Sequence, residues 1–239
     1  MQWSLRAPHI ILVYFMEINE WKLLSNVQKT KWIEENHKAS AKSKSSRGMV
    51  MGIGVNDATF NVKASIHGGR ASCPAYSAWK NMIERCFSTK RHKSSPTYAR
   101  VTVCDEWLSF MSFRSWWVEN QVDGWQLDKD IIGDGLEYSP LKCIYIPSRV
   151  NLFLVDRRAS RGSSPIGSCF DKRLGGYISS CSNSSLGKIE YLGFFESARD
   201  AHLAWRRRKL EMALEMKNEL DEIDNRIYPS IISIIMKMK

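Results

Sequence analysis

The chain has 239 residues, of which 44% are hydrophobic and 25% are charged, so it has room for one large domain or two small ones. No stretch reaches the roughly 18 apolar residues that a membrane-spanning helix needs. Thirty-five Lys and Arg against 25 Asp and Glu give a formal net charge of +10. This excess favours a polyanionic partner, nucleic acid first, although a basic surface that serves solubility alone gives the same count.

The six cysteines are spread through the chain, and no C-x-x-C pair occurs. A secreted disulfide scaffold is shorter and denser in Cys. The apolar run at residues 10–15 is too short for a span and is not followed by a small-residue cleavage site. We therefore expect reduced thiols and a cytoplasmic location. Translation from Met16 instead of Met1 is an alternative.

Residues 1–48 are predicted to form an N-terminal helix and a basic linker. Apolar side chains recur at loosely helical spacing over residues 18–37, which predicts one amphipathic helix. Residues 38–47 hold four positive charges and no large apolar group, which predicts a flexible linker. This linker either follows a phosphate backbone or is a plain tether.

Residues 49–156 show the mixed short patterns of an α+β domain. The predicted elements, in chain order, are strand-like runs at 49–64, a helix at 74–89, a strand at 101–104, a helix at 106–119, a strand at 126–132 and its hairpin partner at 143–146. Pro147 and Ser148 then open another helix.

Residues 157–226 are predicted to form a second module. A small, basic, turn-rich segment at 157–165 marks the boundary. Strands are predicted at 166–170, 176–182 and 188–194, followed by a long helix from Ser197. The remaining residues, 227–239, form an apolar tail that docks either on the body of the protein or on a partner.

Residues 165–212 carry motifs of a known domain. They are Gly176-Tyr-Ile in the second strand, Gly187-Lys-Ile-Glu-Tyr-Leu-Gly-Phe-Phe195 in the third, and a helix with Ala201 and Ala204. These motifs resemble the APETALA/ethylene-response-factor DNA-binding domain. The resemblance implies a three-stranded antiparallel sheet with one packed helix, the sheet lying in the major groove of double-stranded DNA.

The same resemblance assigns DNA contacts to individual residues. Lys172 and Arg173 in the first turn, Tyr177 on the second strand and Lys188 on the third are implied to face DNA. Residues 160–210 contain nine Lys and Arg against four Asp and Glu, which suits a surface for phosphates.

The basic run at residues 206–209 adds two candidates. Four consecutive helical positions span the whole circumference, so at most two can face one surface. Arg206 and Arg207 are the candidate phosphate contacts. A sheet-plus-helix module that contacts only protein remains an alternative.

A second resemblance covers residues 52–151. Its motifs, in chain order, are Gly54-Val-Asn-Asp-Ala58, Tyr76-x-x-Trp-x-x-Met82, Arg85-Cys-Phe87, Val103-Cys-Asp-Glu-Trp107, Phe110-x-x-Phe113, Leu127-Asp-Lys-Asp130 and Tyr138-Ser-Pro140. Together they are similar to a family of tailed-phage proteins that tend to carry the same C-terminal module and are often labelled HNH-endonuclease-like. The resemblance implies a phage protein in the cytoplasm of a bacterial host.

An HNH nuclease needs a strand ending in a general-base His, a partner strand, and a helix that supplies a metal-binding His. On residues 127–151 this ββα pattern has Asp128 and Lys129 where Asp-His is expected, Lys142 where the hairpin Asn is expected, and Asn151 where the last His is expected. No His occurs between residues 92 and 202. We therefore expect a degenerate HNH-like core that lacks the usual chemistry.

Two alternatives keep a function at this site. Asp128 and Asp130 are candidate oxygen ligands for Mg²⁺ in a divergent homing-type endonuclease, with Asn151 as a further candidate catalytic residue. Lys129 is alternatively a candidate for direct contact with a phosphate.

Cys86, Cys104 and Cys143 are candidate zinc ligands, with Cys73 as a fourth. Structural zinc usually has four ligands in paired knuckles, a spacing that is absent here. Each of the three also lies in an apolar context, and a free Cys behaves as a small buried hydrophobe. Core packing is the favoured interpretation.

The sequence thus predicts an α+β protein with a degenerate HNH-like ββα core and a three-stranded sheet with one packed helix. The favoured function is binding of double-stranded DNA by a phage-type protein whose HNH-like domain is non-catalytic, with no certain cofactor and no membrane partner. The alternatives are a Mg²⁺-dependent endonuclease and a phage inhibitor that binds a host defence protein.

Overall fold

A computed structural model describes residues 16–156, 163–183 and 186–239 of the chain. The apolar run at 10–15 and most of the predicted boundary at 157–165 lie outside these ranges. The described residues divide into two compact units, one within residues 16–84 and 108–118, the other within residues 85–107 and 119–239. Helices and several small sheets alternate along the chain, which confirms the α+β class.

No helix in the described ranges is long and apolar enough to cross a membrane.

The helices are α1 (Ile18–Leu23), α2 (Asn26–Asn36), α3 (Ala41–Ser45), α4 (Pro74–Phe87), α5 (Thr89–Ser94), α6 (Phe110–Asn120), α7 (Ser148–Phe153), α8 (Ala198–Glu215), α9 (Lys217–Ile223) and α10 (Ile227–Lys237). The strands are β1 (Lys63–Ile66), β2 (Gly69–Ser72), β3 (Thr102–Val103), β4 (Trp125–Asp128), β5 (Glu137–Tyr138), β6 (Ile144–Pro147), β7 (Ser168–Asp171), β8 (Gly176–Asn183) and β9 (Lys188–Phe195). Two 3-10 helices cover Pro96–Arg100 and Asp105–Leu108.

The first unit has an aromatic core. The ring centroid of Phe110 lies 5.6 Å from that of Trp79, 5.2 Å from that of Tyr76 and 6.2 Å from that of Phe60. Gly54 allows the chain to pass against this cluster, since a Cβ there would come within 2.9 Å of the Trp79 ring.

The N-terminal segment differs from the prediction of one helix and a linker. Residues 18–37 form α1 and α2, because the Ser25 hydroxyl accepts a hydrogen bond from the Gln28 N–H and caps a new helix. The tether interpretation of residues 38–47 is wrong. This segment includes α3, and the Arg47 guanidinium donates to the carbonyl oxygens of Ala58 at 2.5 Å and Phe60 at 2.8 Å.

The predicted hairpin of the second unit is present. β4 pairs antiparallel with β6, so that Gln126 lies opposite Ile146, and α7 begins directly after β6. β4 ends at Asp128 instead of residue 132. The Asp128 carboxylate accepts hydrogen bonds from the N–H groups of Asp130 and Ile131, which turns the chain out of the strand.

The three strands and the helix predicted after residue 165 are confirmed as the antiparallel sheet β7–β8–β9 and α8. Ser197 caps α8 by accepting a hydrogen bond from the Asp200 N–H. The helix ends at Glu215, and α9 begins at Lys217 after a break. The apolar tail forms α10, whose Ile231 is fully buried against α8, so the tail docks on its own unit.

One hydrophobic core serves much of the second unit. Its buried members are Ile131, Ile146, Val150, Phe153, Cys181, Trp205, Met212, Ala213, Met216, Leu220, Ile227, Ile231 and Ile235. Residues 131–153 therefore share one core with the sheet-plus-helix module, although the sequence predicts a domain boundary between them.

Candidate nucleic-acid interface

The sheet β7–β8–β9 has one face covered by α8, the helix face. The Ser179 hydroxyl donates a hydrogen bond to the Ala201 carbonyl at 2.7 Å, so the odd-numbered residues of β8 point toward the helix. Tyr177 is among them, and its ring lies 5.1 Å from that of Phe170. Its position on the helix face does not fit the DNA contact that the resemblance assigns to it.

The opposite, open face of the sheet is formed by cross-strand pairs, because residues that lie opposite one another share a face. Its members are Cys169, Ile178, Ser180, Ser182, Ile189, Tyr191 and Phe194. Ile189 is 73% exposed and Tyr191 66% exposed. Apart from Asp171 at its end, this face is uncharged, so it offers apolar and hydroxyl contacts without a cation for phosphate.

The cations of this sheet lie at its ends. Residues 172–175, which connect β7 to β8, form the hairpin tip. The Asp171 carboxylate fixes the tip by accepting hydrogen bonds from the N–H groups of Arg173 at 2.8 Å and Leu174 at 3.0 Å. Lys172 and Arg173 are exposed, and neither forms an ion pair with any residue that the structure describes. Lys188 is exposed at the start of β9, opposite Asn183, so it lies on the same helix face as Tyr177 and does not fit the DNA contact that the resemblance assigns to it.

Most side chains of the basic run 206–209 form hydrogen bonds within the protein. Arg206 donates to the His202 ring at 2.7 Å and to the Met238 carbonyl at 3.2 Å. Arg208 donates to Glu190 at 2.7 Å, and this bond lowers the pKa of Glu190 to about 2. Lys209 is buried, which leaves Arg207 as the exposed member of the run. Arg206 therefore holds the end of α10, and Arg207 is the one cation of the run that is left exposed.

The predicted HNH-like residues each have a hydrogen-bond partner within the protein. The Asn151 amide donates to the Gln126 side chain at 2.9 Å and thereby ties α7 to β4. Asp128 is buried and turns the chain after β4, and burial raises the pKa of its carboxyl. Both backbone hydrogen bonds go to the same carboxylate oxygen, Oδ1.

Lys129 is also held inside the protein. It is 6% exposed, its ammonium donates to Asp130 at 2.7 Å, and it lies 5.7 Å from the ring centroids of Tyr98 and Tyr138. Cation–π contacts and one ion pair stabilise such a buried charge. Direct contact of Lys129 with a phosphate therefore requires that its ammonium leave Asp130 and the two tyrosine rings.

Over residues 16–156, 163–183 and 186–239, no three His, Cys, Asp or Glu side chains are grouped to hold a metal ion. Cys86 and Cys143 are buried, and burial raises the pKa of each thiol to about 12. Cys104 is partly buried, and burial raises its pKa as well. These protonated thiols pack as small apolar groups.

The sequence motifs do not identify a third cationic segment, residues 85–104. Residues 85–104 contain five Lys or Arg and no Asp or Glu, and most of these cations are exposed around α5. A charge count over short windows along the whole chain would have found this segment, whereas counts limited to residues 38–47 and 160–210 pass over it.

No family model, no curated protein and no solved structure matches the chain.

Proposed function

We propose that the protein is a phage-type DNA-binding protein of the host cytoplasm, whose HNH-like domain is degenerate and non-catalytic. The observation that carries the proposal is the hairpin tip, where Lys172 and Arg173 project from a rigid turn without ion-pair partners in the described ranges. Exposed cations on a β-hairpin suit the phosphates of double-stranded DNA.

The absence of catalysis is supported by the positions of the candidate catalytic groups. Asp128 caps a turn, Lys129 is packed between aromatic rings, and Asn151 links α7 to β4. A general base must reach the proton of an attacking water, and Lys129 at the His position is both buried and ion-paired. The order β4, β6, α7 is that of a ββα unit, which is what supports the name HNH-like.

Salt dependence of DNA binding tests the proposal. The logarithm of the affinity for a duplex falls linearly with the logarithm of the salt concentration, by about 0.9 for each phosphate contact. We expect Lys172→Ala/Arg173→Ala to make this slope shallower by about two units, since two contacts are lost. Lys31→Ala/Lys63→Ala, which removes two exposed cations of the first unit, is the matched control. An unchanged slope in the hairpin variant would contradict the proposal.

A second candidate function follows from the open face. Exposed Ile189, Tyr191 and Phe194 on an uncharged sheet surface favour contact with a protein, such as a host defence factor. The test is purification from host lysate after nuclease digestion. A stoichiometric host protein that stays bound, and that is lost from Ile189→Ser/Tyr191→Ser but not from Lys172→Ala/Arg173→Ala, would support this function over DNA binding.

A further inference from the structure

A second cationic surface lies in the second unit, away from the hairpin tip in sequence. Its members are Lys90, Arg91 and Lys93 of α5 and Arg100 at the end of the following 3-10 helix, which we call the basic ridge. All four are exposed, and none forms an ion pair in the part of the chain that the structure describes. We propose that the basic ridge binds the phosphodiester backbone of nucleic acid, as a contact additional to the hairpin tip, and this inference rests on the proposed function.

The orientation of α5 directs the ridge outward. Ser88 caps the helix by accepting a hydrogen bond from the Arg91 N–H at 3.3 Å. The His92 ring is 3.0 Å from the Arg85 carbonyl oxygen, which turns this side of the helix inward. With about 100° between successive residues, Lys90 points away from His92, and Arg91 and Lys93 lie on either side of Lys90, about 160° from one another, at the two edges of the outer half of the helix.

Cation–π contacts of Tyr98 hold the 3-10 helix that carries Arg100. The Tyr98 ring lies 6.0 Å from the Arg85 guanidinium carbon and 5.7 Å from the Lys129 ammonium, so the 3-10 helix is held between two cations. Of these two cations, Lys129 forms an ion pair with Asp130.

The Arg85 guanidinium is hydrogen-bonded to the hydroxyl of Tyr138, and it is partly buried. Residues 85–104 contain no Asp or Glu, so no carboxylate of this segment neutralises the cations of the ridge. The charge of the ridge is therefore left for an external anion.

The chemistry of the ridge suits a nucleic acid backbone. Lys offers a point charge on a flexible stem, and Arg offers a fork of N–H donors, and both bind phosphate oxygens without a closed pocket. Exposed Lys and Arg side chains on the outer half of a short helix and at the end of the adjoining 3-10 helix bind phosphates and read no base sequence. An acidic protein surface is the competing occupant, and the test separates the two.

The test compares the full-length protein with three folded variants, each checked by its thermal unfolding. The ridge variant is Lys90→Ala/Arg91→Ala/Lys93→Ala, and the control is Lys22→Ala/Lys31→Ala/Lys63→Ala, which removes the same charge from exposed positions of the first unit. The third is the hairpin variant Lys172→Ala/Arg173→Ala. Affinity for a random-sequence duplex is measured over a series of salt concentrations.

We expect the ridge variant to make the salt slope shallower by about two to three units, and the control variant to keep the wild-type slope. A ridge variant with the wild-type slope overturns the inference, as does an equal change in the control, which would show an effect of net charge alone. A slope reduced in the ridge variant but not in the hairpin variant supports the ridge and contradicts the hairpin proposal. If the wild-type protein binds without salt dependence, both proposals fail and an acidic protein partner is favoured.

Discussion

The ammonium group of Lys209 donates a hydrogen bond to the carbonyl oxygen of Phe153 at 2.7 Å and lies 3.8 Å from the centroid of the Phe153 ring. The two residues belong to segments that the sequence assigns to different domains. Burial lowers the pKa of the Lys209 ammonium, so the protein keeps this cation inside at some cost. The contact ties α8 to the end of α7 within the shared core.

Lys209→Ala is expected to lower the free energy of unfolding by about 1 to 3 kcal/mol, because it leaves a buried carbonyl without a donor. Urea unfolding measures the change. Arg207→Ala, an exposed cation on the same helix, is the control and should stay within about 0.5 kcal/mol of wild type. Equal effects of the two substitutions would show that the Phe153 contact contributes nothing to stability.

The pair Glu190–Arg208 should give the protein a stability that depends on acid. The hydrogen bond from Arg208, with a smaller contribution from Asn183, lowers the pKa of Glu190 from 4.5 to about 2. The folded state therefore keeps this carboxylate ionised while the unfolded state takes up a proton. Its contribution is complete above pH 4.5 and is lost as the pH falls toward 2.

We expect Glu190→Gln to unfold with a shallower dependence on pH between 4.5 and 2 than the wild type, as followed by circular dichroism during acid titration. Glu211→Gln, which removes a more exposed partner of the same guanidinium, serves for comparison. If both variants follow the wild-type curve in this interval, the Glu190 carboxylate does not have the lowered pKa.

Two substitutions of Asp128 distinguish a structural role of this residue from a catalytic one. Asp128→Ala should cost about 1 to 3 kcal/mol of unfolding free energy, because the N–H groups of Asp130 and Ile131 lose their acceptor. Asp128→Asn keeps an oxygen in the same place and should retain most of the stability. A Mg²⁺-dependent plasmid-cleaving activity lost in Asp128→Asn at unchanged stability would instead identify a nuclease.

Gly167 is expected to tolerate no side chain. Gly167 and Gly175 both have positive φ angles, of 79° and 70°. A Cβ on Gly167 would come within 2.1 Å of the Trp205 ring, whereas one on Gly175 would meet nothing within 4 Å.

Gly175→Ala should therefore cost about 1 to 2 kcal/mol from backbone strain alone. Gly167→Ala should cost about 1 to 3 kcal/mol more, because Trp205 must move out of the core. Thermal or urea unfolding of the two variants provides the measurement. Similar losses in both would mean that Trp205 shifts without resistance.

The strands and helix of the sheet-plus-helix module are predictable because the sequence signals that define them are local. Each strand is a short run between turn residues, and Ser197 marks the start of α8, so no knowledge of distant contacts is needed. The same holds for the hairpin of β4 and β6. β4 ends four residues before the predicted end, because the apolar Ile131 and Ile132 continue the strand pattern while the Asp128 side chain turns the chain away.

The uses of the cations were not predictable from the same patterns. Arg47 looks like part of a solvated linker until its three carbonyl partners are known, and they lie about ten residues further along the chain. Arg206 and Lys209 belong to the basic run, yet their partners Met238 and Phe153 lie far away in sequence. A charge count shows how many cations exist, and tertiary structure decides which of them remain for a ligand.

The shared core of the second unit limits how the sheet-plus-helix module could be transplanted. A graft of residues 163–226 into another protein would leave behind Ile146, Val150 and Phe153, and it would expose apolar surface of Trp205 and Met212 to water. Lys209 would lose its acceptor in the same step. Exchange of this module between proteins therefore requires a recipient that supplies a matching apolar helix and a carbonyl at its end.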